Sequence, residues 1–193
     1  MEESGCEDAI LWRRKLDIVD LNGVPDSSFD AVVAYGGLLG YVFDLAGEAL
    51  AELLRVTRPD GYILLSVMSS LGTWRFHTES VLNEIQELGL PRFQKLFEDG
   101  DVTGKLAAKG THHCHVVRWS ELRSLVEEHN CKIVAVSACS FLANNKYIQE
   151  RLKQTMQNPE VWNAFLRWEL EFSREPGAID ASTHMIVVLR NGV

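Results

Sequence analysis

The stretch "FDAVVAYGGLLGYVFD", Phe29–Asp44, decides how this chain folds. Its first half is a β-branched apolar run that follows the turn residues "NGVPDSS" (22–28), the pattern of a buried strand. The run ends on Gly36 and Gly37, and Tyr41 follows within a turn of chain. Paired glycines at a strand end allow a tight turn or the close approach of a ligand to the backbone.

Working outward, "AGEALAELLRVT" (46–57) places Ala46, Ala49, Leu50, Leu53 and Leu54 on one helical face. "RPDG" stops that helix, because Pro59 and Gly61 do not readily continue it, and "YILLSVM" (62–68) is the next buried strand. Strand, helix and strand with short joints form the unit of a parallel sheet. The pattern recurs near residue 120, where Ser120 is expected to cap a helix facing inward through Leu122, Leu125 and Val126, before the strand "KIVAVSA". "THMIVVLR" (183–190) is a final strand. Residues 8–21, "DAILWRRKLDIVDL", are read as a short strand or two ending at Asp17 and Asp20. Helical insertions are expected at about 73–110, around the loop "EDGDVTGK", and at about 145–175. The fold class is α/β with a mostly parallel sheet, and residues 1–193 form one domain.

A hydrophobic content of 46% and a charged content of 24% are ordinary for a globular protein. The net charge of −8 argues against a nucleic-acid groove, which carries a basic stripe. The acidic start "MEESGCEDA" does not resemble a targeting peptide, no apolar run is long enough for a membrane span, and the four cysteines lack C-x-x-C spacing. A cytoplasmic location with reduced thiols is expected.

Open α/β sheets bind ligands at the carboxyl ends of their strands. Gly36 and Gly37 lie there, as do Ser69 and Ser70 after "YILLSVM". Tyr41 either packs on a bound ligand or is a partly buried aromatic. The polar cluster "THHCHVVRW" holds His112, His113, Cys114 and His115. Consecutive residues of an extended segment alternate faces, so these four do not converge on one metal, and none is assigned. His113 and His115 share a face and are the candidate acid–base groups. Arg118 is a candidate for pairing an anionic substrate, or forms a surface ion pair. Trp162, Phe165, Trp168 and Phe172 recur at helical spacing, which is a core stripe or, through Trp168, a wall over a substrate cleft. Asp180, Ser182 and His184 do not make a triad, because no G-x-S-x-G elbow accompanies them.

In order and spacing, "LDIVDLNGVPDSSFDAVVAYGGLLGYV", "ALAELLRVTRPDGYILLSV", "CKIVAVSA" and "HMIVVLR" resemble the class I S-adenosylmethionine-dependent methyltransferases. The resemblance covers roughly residues 1–72 and 115–190, and its "S-F-D…R-P-x-G" combination is its most specific part. It implies a Rossmann-like sheet whose last strand is antiparallel. It also implies S-adenosylmethionine as cofactor, with the adenine near Asp17 and Ile18 and the methionine part near Ala34, Tyr35 and Gly36. Gly37 and Tyr41 join that cofactor group by position.

The sequence departs from the family in one respect. Nowhere are two glycines separated by one residue, so the family's G-x-G cofactor turn after its first strand has no counterpart. The acidic residue after its second strand has none either, and "MEESGCEDAILW" resembles the end of the helix before its third strand. The expectation is a domain lacking the first strands, either N-terminally incomplete or a natural degenerate relative. An unpaired sheet edge would then favour self-association. The expected function is methyl transfer to a small-molecule acceptor, weak or absent in these residues alone. The alternative is a non-catalytic interaction domain. A nucleotide-dependent oxidoreductase is disfavoured, because it too requires a phosphate-cradling glycine loop.

Overall fold

The structure is a computed structural model and describes residues 7–103, 113–145 and 147–192. The readings made of the opening six residues and of His112 lie outside these. The strands are β1 (Phe29–Ala34), β2 (Thr57–Met68), β3 (Asp101–Val102), β4 (Cys114–His115), β5 (Lys132–Ala138) and β6 (His184–Arg190). The helices are α1 (Leu38–Tyr41), α2 (Ala46–Val56), α3 (Ser70–Leu88), α4 (Leu90–Asp99), α5 (Trp119–Glu128), α6 (Gln149–Thr155) and α7 (Pro159–Phe172).

The main sheet has the order β1-β2-β6-β5, and β3 and β4 form a separate two-stranded ladder. β1 pairs with β2 in parallel, whereas β6 runs antiparallel to both β2 and β5. Three strands therefore share one direction and the last in sequence opposes them, the α/β arrangement expected. One face carries Ile63, Leu65, Val67, Met185, Val187 and Leu189, all shielded from solvent. Leu50 and Leu53 of α2 and Leu122 and Val126 of α5 pack against it. Each such side chain contributes about 1.5–3 kcal/mol on burial, so this layer is the main hydrophobic support of the fold. The opposite face is open at Val33 and Tyr62, and among the described residues β1 has a strand neighbour on one side only.

Three local expectations need correction. Residues 8–21 do not form strands: a short 3-10 turn at Glu7–Ala9 leads into irregular chain and a tight turn bridged between Asp17 and Asp20. A strand exists only where a neighbour completes its hydrogen bonds, and here Ile18, Val19 and Leu21 instead pack their side chains against the core. The cap of α5 is Arg118, not Ser120, and Glu121 bonds back to the Arg118 backbone N–H at 3.2 Å. The aromatic stripe of α7 is not core, since no residue of this helix is fully buried. Trp162 and Phe165 stack at 5.5 Å, and the helix is tied to the end of β5 through Ser173, whose Oγ accepts from Ser137 at 2.9 Å.

Candidate functional site

The carboxyl end of β1 opens directly into the glycine turn. Gly36 and Gly37 adopt φ values of 91° and 76°, which a side chain would disfavour. Gly36 donates its N–H to Ser66 Oγ at 2.9 Å, so the turn is anchored to β2. A Cβ at Gly36 would meet no atom within 4 Å, and open space therefore adjoins the backbone there. At Gly37 and Gly40 the reverse holds. A Cβ on either would press on the Met68 side chain at 3.2 Å, so these glycines let Met68 lie flat along α1. Ala34 is buried, and Tyr35 and Tyr41 are exposed at the mouth of the turn.

Asp17 and Ile18 lie in the loop that precedes β1. Asp17 accepts from the Val19 N–H at 3.2 Å with its carboxylate in solvent. Arg55 holds that loop in place by donating to the Val24 carbonyl at 2.9 Å and to Asp26 at 2.6 Å. Glu52 accepts from the Leu21 N–H at 2.8 Å, and the Arg55 guanidinium beside it keeps its carboxyl below the usual range.

Beyond Met68 lies a cavity of about 440 Å³ between α3, α4 and the starts of β4 and β6. Its mostly apolar wall includes Met68, Trp74, Phe93, Val116, Cys114 and His184. The chain enters α3 through a close crossing. Ser69 N–H donates to the Thr183 carbonyl at 2.8 Å, Val117 N–H donates to the Met68 carbonyl at 2.8 Å, and Gly72 lies against the Ser182 backbone. His184 pairs with Met68 in the sheet, which puts the first residue of β6 at the ligand end of β2. Burial lowers the His184 pKa below the usual 6.5, so its imidazole is neutral at neutral pH. Burial also raises the Cys114 thiol, with Asp101 adding to the effect.

His115 is placed differently from its sequence neighbour. Its Nε2 lies 2.6 Å from Glu121 and its Nδ1 lies 2.8 Å from Asp101. Glu121, then Asp101, raise its pKa to about 9 against the opposing effect of burial. Burial pushes the Glu121 carboxyl up, but the bond and charge of His115 together with the Arg118 backbone N–H and charge outweigh it, and the net shift is downward. Both ring nitrogens are thus engaged, and the ring pins β3, β4 and α5 together rather than standing free to accept a proton. His113 is exposed. Arg118 donates to the Phe97 carbonyl at 2.9 Å at the end of α4. Trp168 is 52% exposed on α7. The structure therefore brings together the glycine turn, Met68 and His184, while Arg118 and Trp168 lie on other elements. Sequence reasoning missed Trp74 and His184 as site residues. A signal for His184 did exist, because the first residue of an antiparallel strand sits at the carboxyl ends of its neighbours. Among the described residues, no group of three or more His, Cys, Asp or Glu is placed to hold a metal ion. No helix among them is long and apolar enough to cross a membrane.

Residues 6–65 match the family model described as a methyltransferase domain. The fold is shared with an S-adenosylmethionine-dependent methyltransferase from Methanosarcina mazei, at 16% identity and a TM-score of 0.52, over 91% of this chain and 64% of that one. It is also shared with an S-adenosylmethionine-dependent methyltransferase from Mesorhizobium loti, at 14% identity and a TM-score of 0.50, over 92% of this chain and 68% of that one. The chain thus spans about two thirds of the length of each. No curated protein matches it in sequence. The family match lies on the segment that builds the Asp17 loop, β1 and the glycine turn, and both fold neighbours are S-adenosylmethionine-dependent methyltransferases.

Proposed function

We propose that the chain serves S-adenosylmethionine-dependent methyl transfer to a small-molecule acceptor, with the cofactor's methionine end at Gly36–Gly37 and the acceptor in the cavity beyond Met68. One observation carries this reading: open space adjoins Gly36 at the carboxyl end of β1, and the Met68 side chain that packs on Gly37 also lines the apolar cavity. The residues present fit the methionine end of the cofactor, and Asp17 and Ile18 are the groups that would meet its adenine. The second glycine turn that the family places opposite is not among these 193 residues, so affinity for the cofactor is expected to be low.

The cofactor, when bound, supplies a methyl group on a sulfonium that is displaced in line by the acceptor. The protein's part is alignment and exclusion of water. The apolar walls of the cavity serve the second purpose. His184, neutral at neutral pH, is the group on the wall able to take the proton from a hydroxyl or ammonium acceptor. His113 and His115 give way to it in that role, His115 because both of its ring nitrogens are already bonded. Ultraviolet crosslinking with methyl-labelled S-adenosylmethionine tests the reading. Label is expected in the peptide containing Tyr35–Tyr41 and is expected to be lost in Gly36→Val. Label distributed without regard to that peptide would rule the reading out.

A second reading, a non-catalytic interaction domain, is favoured by the open edge of β1 and by Val33, which is 62% exposed. It predicts a rise in mass with concentration in light scattering, abolished by Val33→Lys. A monomer at all concentrations would exclude it.

A further inference from the structure

Along α3, Thr73, His77, Ser80 and Glu84 recur at the spacing of a single helix face, and all four line the cavity of about 440 Å³. This face is polar, whereas Met68, Phe93, Leu96, Val102 and Val116 supply apolar surface elsewhere on the wall. Glu84 is the one carboxylate among the described residues of the wall, and no Lys or Arg stands there to balance it. It is partly buried, and its oxygens form no hydrogen bond or ion pair with any described residue. Those oxygens are nevertheless open to solvent, because the one shielded and unpartnered side-chain nitrogen or oxygen among the described residues is Trp74 Nε1. A carboxylate partly withdrawn from water beside apolar surface, with no counter-ion, attracts a cation more strongly than an exposed one does. The net charge of −8 also draws cations toward the molecule.

The two ends of this helix face meet different groups. At the amino end of α3, Gly72 lies against the Ser182 backbone, so His184 belongs to that end of the cavity. Its Nδ1 lies 3.4 Å from Thr183 Oγ1, and its Nε2, unpartnered among the described residues, is open to solvent. Glu84 stands about three turns further along α3, roughly 16 Å down the axis from Thr73. A molecule that touches both groups is therefore long. An ammonium at Glu84 has no lone pair, so it serves as a handle, and the atom that receives a methyl group lies at the other end. We propose, on the reading of this cavity as the acceptor pocket, that it takes an elongated amine: an ammonium held by Glu84, an apolar body along α3 and α4, and a neutral hydroxyl, amine or ring nitrogen at His184.

The test uses 6-phenylhexylamine, 6-phenylhexan-1-ol and 6-phenylhexanoate, probes of equal length that differ in charge, in titration calorimetry at low salt. The amine is expected to bind about tenfold more tightly than the alcohol, and the carboxylate about tenfold more weakly. In Glu84→Gln, which keeps the shape of the side chain, the amine and the alcohol should bind within about twofold of each other. Glu84→Lys should reverse the order and place the carboxylate first, while thermal melts confirm that both variants fold. The phenyl ring of the amine is expected to shift the His184 imidazole Hε1 signal, assigned by its disappearance in His184→Gln. No measurable binding of the amine, equal binding of the three probes, or an unmoved His184 signal would overturn the proposal. An amine preference retained in Glu84→Gln would also overturn it, and would place the amine at the acidic surface around Asp44, Asp99 and Asp101. The crosslinking result separates this from the reading beneath it. Glu84-dependent amine binding without S-adenosylmethionine label in the Tyr35–Tyr41 peptide upholds the ligand class and retires methyl transfer. Label in that peptide with equal binding of the three probes overturns the ligand class alone.

Discussion

Replacing His115 tests the pin between β3, β4 and α5, and its size follows from the geometry. The imidazole lies 2.6 Å from Glu121 and 2.8 Å from Asp101, and its pKa rises from the usual 6.5 to about 9. At about 1.4 kcal/mol per tenfold change, that rise corresponds to at most roughly 3.4 kcal/mol of stability. The ring itself is only 19% exposed, but Asp101 and Glu121 are 45% and 48% exposed, so solvent screens the pair. We expect about 1–2 kcal/mol to survive. Because the folded pKa is raised, the contribution is fully present below pH 6.5 and is lost as the pH rises through about 9. Urea unfolding of the native chain and of His115→Gln at the two ends of that window provides the assay. The native chain should lose about 1–2 kcal/mol more than the variant on going to the alkaline end. The comparison matters because the buried thiols Cys114 and Cys131, both raised by burial, also titrate at alkaline pH and add to the loss in both proteins. An equal loss in the two proteins would show that His115 does not hold these elements together.

Three further predictions concern the framework. Asn191 is buried and donates to the Leu54 carbonyl at 3.1 Å and the Thr57 carbonyl at 2.8 Å, fixing the α2–β2 joint. Asn191→Ala should lower stability by about 1–3 kcal/mol in urea unfolding. At Gly72 a Cβ would collide with the Ser182 backbone carbonyl, so Gly72→Ala should abolish the cooperative thermal transition. Gly177 has open space around it, and Gly177→Ala should change stability by less than about 0.5 kcal/mol.

The main sheet was legible in the sequence because its cues are local. The β-branched run of β1, the apolar face of α2 and the apolar run of β2 each declare their type within a few residues, and the RPDG stop separates the last two. Residues 8–21 misled for the opposite reason. Ile10, Leu11, Ile18 and Val19 have strand character, but pairing depends on a neighbour that local sequence does not specify. The glycine turn was legible as a turn, since paired glycines after a buried strand readily take the positive φ values found there. The cavity was not, because Trp74, Phe93, Cys114 and His184 come from four elements spread over more than a hundred residues, and tertiary contacts such as the close crossing at Ser69, Val117 and Thr183 bring them together. His115 was legible as a titrating group but not as a paired one, because Asp101 and Glu121 approach it from β3 and α5.

Contact between the cofactor and the glycine turn can be measured directly. Titration of 15N-labelled protein with S-adenosylmethionine, followed by amide NMR, measures this site by site. Shifts are expected to concentrate at Gly36, Gly37 and the residues flanking Met68, and to saturate only at concentrations on the order of millimolar, as the proposal of a single cofactor wall in these residues requires. An undisturbed glycine turn at such concentrations would contradict the placement of the methionine end. Saturation in the low-micromolar range would contradict the claim that the second glycine turn is needed.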